Sequence, residues 1–135
     1  MTRFQPSLLG SDINGYGMAR AFHEEYGISS EAYAYFQLSP TKFSNIVNVH
    51  VVDDFNNFVT FRDFMLNLGR RMKAEDPDRT LLPIPCGDVY ANLLSQCGDD
   101  LRRYLVSNTL DLNLSRRLAH QSPFYHICHR YDLPH

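Results

Sequence analysis

The sequence Phe4–Phe22, FQPSLLGSDINGYGMARAF, changes its hydrophobic period part-way along. Phe4 to Leu9 reads as a short strand, and Gly10 to Asn14 reads as a turn of small and polar residues. From Gly15 the spacing becomes helical, with Met18, Ala21 and Phe22 on one face and Arg20 and His23 off it. Strand, glycine turn and helix form the opening unit of a doubly wound α/β domain, in which amides at the start of the helix face a ligand and favour negative charge.

The chain beyond this unit keeps alternating. The first helix is expected to end at Tyr26, with Gly27 just past it. Glu31–Phe36 reads as a second strand, with Tyr33 and Tyr35 on one face and Ala32 and Ala34 on the other, and Leu38–Ser44 as a loop containing Pro40. Ile46–Val52 is almost continuously β-branched, the pattern of a strand covered on both faces. Phe58, Phe61, Met65, Leu68 and Met72 lie at helical spacing, and Pro77 forbids continuation. Thr80–Ile84 reads as a fourth strand, Val89–Gln96 as a helix and Tyr104–Val106 as a short fifth strand. A helix is expected over Leu112–Leu118 and another from Ser122, an N-cap followed by Pro123. The pattern predicts an α/β, Rossmann-like domain with a mainly parallel sheet of four or five strands, helices on both faces, and the first and fourth strands adjacent.

A length of 135 residues suits one domain. The formal net charge of −2 and the lack of a basic stripe argue against a nucleic-acid partner. No apolar run approaches the roughly 18 residues that suggest a membrane span. The N-terminus has neither a long apolar signal core nor a small-residue cleavage site, so a cytoplasmic location is expected. Cys86, Cys97 and Cys128 are odd in number and widely spaced, so they make no disulfide framework.

The glycines Gly10, Gly15 and Gly17 do not form the G-x-G-x-x-G dinucleotide fingerprint, and Phe36 and Gln37 stand where that site needs an acid for the ribose. A Walker A loop is absent too. Two turns remain as candidate binding elements: Gly10, Ser11, Asp12 and Asn14 after the first strand, and Cys86, Gly87 and Asp88 after the fourth. Adjacent strands would bring both turns to one crevice, where they could hold a small substrate. Helix capping and tight helix–strand packing compete as explanations of the same residues. Cys86 has no nearby histidine in sequence to activate it, so no catalytic residue is assigned. The histidines at 120, 126, 129 and 135 invite a metal reading, but Cys128 lies on the apolar stripe of Phe124, Ile127 and Tyr131 while His126 and His129 lie off it, so no metal site is expected.

Pro6–Phe22 (PSLLGSDINGYGMARAF), Leu38-Ser39-Pro40-Thr41, Ile46-Val47-Asn48-Val49 and Pro85-Cys86-Gly87-Asp88-Val89-Tyr90 together resemble, at matching spacings, the N-terminal region of bacterial ATP-grasp carboxylate–amine ligases of the D-aspartate-adding type. The resemblance implies a pre-ATP-grasp domain over residues 1–108, and a helical connection over residues 109–135 into an absent ATP-grasp body. It also implies a ligase that uses ATP and Mg to activate a carboxylate as an acyl phosphate, which an amine attacks, in modification of a peptidoglycan precursor. This chain would take no cofactor itself and would not turn over alone. It would bind an amino acid or another carboxylate through its strand-end turns and offer a dimer surface. Where ligases of this kind commonly carry Asp-Lys ahead of the helix at Ser122, with the lysine touching phosphate, this chain has His120-Gln121, and an amide cannot supply that charge. The chain is expected to be either a piece of a longer ligase, as its ending without a tail at Leu133-Pro134-His135 suggests, or a stand-alone, non-catalytic binding protein derived from that domain.

Overall fold

In the computed structural model, which describes residues 4–107 and 109–134, the Asp12 side chain defines where the first helix begins. Its carboxylate accepts from the amides of Asn14 and Gly15, both at 3.0 Å, and its carbonyl accepts from Tyr16. Such a cap contributes about 1 kcal/mol, and it starts the helix earlier than Gly15. Strand β1 (Phe4–Leu9) therefore leads through a short turn into α1 (Ile13–Tyr26). Gly27 closes α1 in the left-handed conformation. The buried residues of α1 are Gly15 and Ala19, flanked by Met18 and Phe22, whereas Ala21, expected inward, is exposed.

The remaining elements are β2 (Ser30–Ala34), α2 (Ser39–Lys42), β3 (Val47–Val51), α3 (Phe58–Glu75), β4 (Thr80–Pro85), α4 (Asp88–Cys97), α5 (Leu112–Ala119) and α6 (Gln121–Arg130). All strand pairs are parallel, in the order β3-β2-β1-β4. The chain lays down three strands in one direction, then crosses to the other side of β1 for β4. Strands β1 and β4 are thus neighbours, with Leu8 opposite Ile84 and Leu9 opposite Pro85. Pro6 is compatible with a central strand because β1 pairs with β2 only from Ser7 onward.

Successive residues of a strand face opposite ways, and the two faces carry separate cores. Leu9, Tyr33 and Leu81 pack with Phe61, Met65, Leu68 and Met72 of α3 and with Leu93, Leu94 and Cys97 of α4. Leu8, Ala32 and Val47 pack with Ala19, Met18 and Phe22 of α1. Helices therefore cover both faces of a Rossmann-like sheet.

Several local expectations are corrected. The β-branched run at Ile46–Val52 forms the edge strand, with Val47 buried and Val51 53 % exposed. Strand β2 stops at Ala34, before Tyr35 and Phe36. The Pro40 segment is helical, since Pro at the first turn fits a helix start. The expected fifth strand reduces to one parallel bridge between Leu105 and Leu81. The cap position of α6 is His120, with no side-chain cap, so Ser122 lies inside the helix. Asn108 and His135 lie outside the described residues. No helix among the described residues is long and apolar enough to cross a membrane.

Candidate functional site

The reversal of strand order between β1 and β4 leaves a crevice at their carboxyl ends, the place where open α/β sheets bind ligands. A cavity of about 280 Å³ lies there. Gly10, Ser11 and Asp12 form one wall, and Cys86 and Gly87 form the other. These five predicted residues are brought together by the paired strand ends. The amide of Cys86 donates to the Leu9 carbonyl at 2.9 Å, and that of Gly10 donates to the Tyr33 carbonyl at 2.9 Å. Gly10 has φ +127°, a conformation that favours glycine, and a Cβ there would sit tightly at 3.3 Å from the Cys86 Cβ.

The other two predicted residues stand differently. Asn14 does not line the cavity, but its Nδ2 donates to the Cys86 carbonyl at 3.2 Å and joins the two turns. Asp88 is the exposed first residue of α4 and lines a separate depression with Arg116 and His120. Ser11 is buried and occupied by the protein: its hydroxyl donates to the Phe36 carbonyl and accepts from the Leu38 amide, and its carbonyl accepts from Thr41 Oγ1. It holds the loop after β2 over the crevice.

Ala34, at the end of β2, adds to the lining, and that loop supplies walls that the two turns do not reach: Tyr35, Phe36 and Leu38. Asn56, Val89 and Tyr90 complete the lining. Tyr90 stacks on Phe61 and packs against Phe55, and its hydroxyl accepts from the Tyr35 amide at 3.1 Å. The phenol is therefore fixed at both ends. The aromatic pair Tyr35-Phe36, immediately after a strand, was the available sequence signal for this wall.

The charge pattern is one-sided. Among the described residues, Asp12 is the sole charged side chain in the lining, and no lysine, arginine or histidine contributes to it. Burial pushes the Cys86 thiol up to about 11, with the Asp12 charge adding to the effect, and its Sγ donates to the Ile84 carbonyl at 3.4 Å. The thiol is neutral near pH 7 and is no activated nucleophile. Burial also raises Tyr90. The two helix starts beside the crevice differ. At α1 the amides of Asn14 and Gly15 are already taken by Asp12, whereas α4 has Gly87 at its cap position and no side-chain cap. Among the described residues, no group of three histidine, cysteine, aspartate or glutamate side chains is placed to hold a metal ion. Cys128 is buried, while His126 and His129 are exposed.

A D-aspartate ligase of Enterococcus faecium (strain Aus0004) is 45% identical to this chain over 131 residues, which is 97% of the chain. The chain is similar, over nearly its whole length, to a D-aspartate ligase. It spans 31% of the length of that ligase. The extent of the match is consistent with the N-terminal region of such an enzyme and supports a ligase-derived domain. No family model matches the chain, and no solved structure matches it.

Proposed function

We propose that this chain is the N-terminal, substrate-binding domain of an ATP-dependent carboxylate–amine ligase. In this reading the acid substrate is D-aspartate or a similar amino acid, the product is a modified peptidoglycan precursor, and the work is done in the cytoplasm. The observation that carries the reading is the 45% identity to a D-aspartate ligase, with the two turns after β1 and β4 lining one cavity at the switch point. A cavity with a mainly apolar lining and few polar groups fixes the orientation of a small ligand.

The residues present do not fit the phosphates of ATP. The cavity has no cationic side chain, and the side chain at the first position of α6 is that of Gln121, an amide. ATP and Mg therefore belong, in this proposal, to a nucleotide-binding body outside this chain, and α5 and α6 lead towards it. That body would form the acyl phosphate, and this domain would hold the acid and exclude water from one side of it. Titration of isotope-labelled protein with millimolar D-aspartate, followed by amide NMR shifts, tests the assignment. Shifts centred on Gly10–Asp12 and Cys86–Gly87 are expected; shifts centred on another face would reject it.

A further inference from the structure

Resting on that reading, we propose that Asp12 receives the ammonium group of the substrate, so that this domain selects an amino acid and rejects the corresponding acid without an amine. Among the described residues, Asp12 is the single formal charge in the cavity lining, and it is negative. Its helix cap engages one oxygen: Oδ1 accepts from the amides of Asn14 and Gly15. Oδ2 carries only the long 3.4 Å contact with Asn14 Nδ2 among the described residues, which leaves lone pairs for a further donor. The side chain is half-buried at the rim of the cavity, and a hydrogen bond from an ammonium to its carboxylate would be charge-assisted.

The walls agree in sign. Tyr35, Phe36 and Tyr90, which line the same cavity, are aromatic and bring no positive charge to it. No cationic side chain in the lining competes for the carboxylate. A free carboxylate placed beside Asp12 meets like charge with nothing to offset it. An amino acid therefore enters with its ammonium towards Asp12, and its acid groups lie towards the α4 start and the open mouth. Specificity arises from both halves of this arrangement, attraction of the ammonium and repulsion of an acid in its place.

Two probes and one variant test the inference. D-Aspartate and succinate carry the same two carboxylates, and only D-aspartate has an ammonium. The wild-type chain is expected to bind D-aspartate at least about tenfold more tightly than succinate, as for loss of one charged hydrogen bond. Asp12→Asn keeps a good N-cap while removing the charge, so its fold is expected to survive. Its affinity for D-aspartate should fall about tenfold or more, and its preference over succinate should vanish. Equal binding of the two acids to wild-type protein, or an unchanged preference in Asp12→Asn, would overturn the role of Asp12 and leave the substrate-pocket reading standing. No crevice response to either acid at millimolar concentration would reject both. The wild-type comparison decides the matter if the variant does not fold.

Discussion

Asn14 Nδ2 donates to the Cys86 carbonyl at 3.2 Å and so connects two turns that lie 72 residues apart in the chain. The bond fixes the spacing of the two walls of the crevice, alongside the Cys86 amide bond to the Leu9 carbonyl. Replacing Asn14 by Ala removes one partly buried hydrogen bond, a loss of about 1 kcal/mol, slightly offset by the better helix propensity of Ala. Urea denaturation is expected to register a small loss of stability. Amide exchange at Gly87 and Asp88 should quicken more than at the buried residues of α3, because the loss is local. Equal acceleration everywhere would mean that the bond only supports global stability.

Gly69 and Gly17 are expected to respond to Ala in opposite ways. A Cβ at Gly69, inside α3, would lie 2.5 Å from the Tyr104 Cβ, so the segment after α4 must move. Overpacking of this kind costs about 1–3 kcal/mol. Gly17 is exposed on α1, and a Cβ there meets nothing within 4 Å. Gly17→Ala should stabilise by about 0.5–1 kcal/mol through helix propensity. Thermal melts of the two variants give the signs directly.

Much of the architecture was readable in the residues, and the misreadings have physical causes. The change of period within Phe4–Phe22 marks strand, turn and helix because backbone geometry alone sets those periods. Ile46–Val52 was misread because β-branched residues favour any pleated strand; its neighbours in the sheet, which decide burial, are not encoded locally. The meeting of Gly10, Ser11, Asp12, Cys86 and Gly87 around one cavity was legible because topology puts strand ends together. Tyr35, Phe36 and Tyr90 were not, since their placement depends on the Ser11 loop bonds, the Tyr35–Tyr90 hydrogen bond and the packing of Tyr90 on Phe55 and Phe61. Capping and ligand contact both suit the residues of the first turn; the geometry shows that the Asp12 carboxylate takes the amides of Asn14 and Gly15.

Stability is expected to fall at alkaline pH. Burial raises the Cys86 and Cys97 thiols from an ordinary value of 9.0 to about 11. Between these values the native state keeps protons that the unfolded chain has lost. Rising pH therefore favours unfolding. This part of the stability is complete below pH 9 and is lost as pH climbs towards 11. Denaturation midpoints measured from pH 8 to pH 11 should decline, and replacement of both cysteines by Ala should lower stability at pH 8 and flatten the decline above pH 9. A double variant with the same slope as wild type would contradict the assignment.

Tyr90→Phe removes the hydroxyl that accepts from the Tyr35 amide and leaves the ring packing in place. A cost near 1 kcal/mol is expected, and the loop carrying Phe36 should loosen. Reduced D-aspartate affinity, with the far-ultraviolet circular dichroism unchanged, is the expected signature.

The most direct measurement of the central claim is a chimera. The matching third of the Enterococcus faecium D-aspartate ligase is replaced by this chain, and ATP-dependent ligation of D-aspartate is assayed. The account predicts a folded chimera that consumes ATP and forms product, and whose activity falls at least about tenfold when Asp12 is changed to Asn. A folded chimera that forms no product, although the unmodified ligase is active in the same assay, would contradict it.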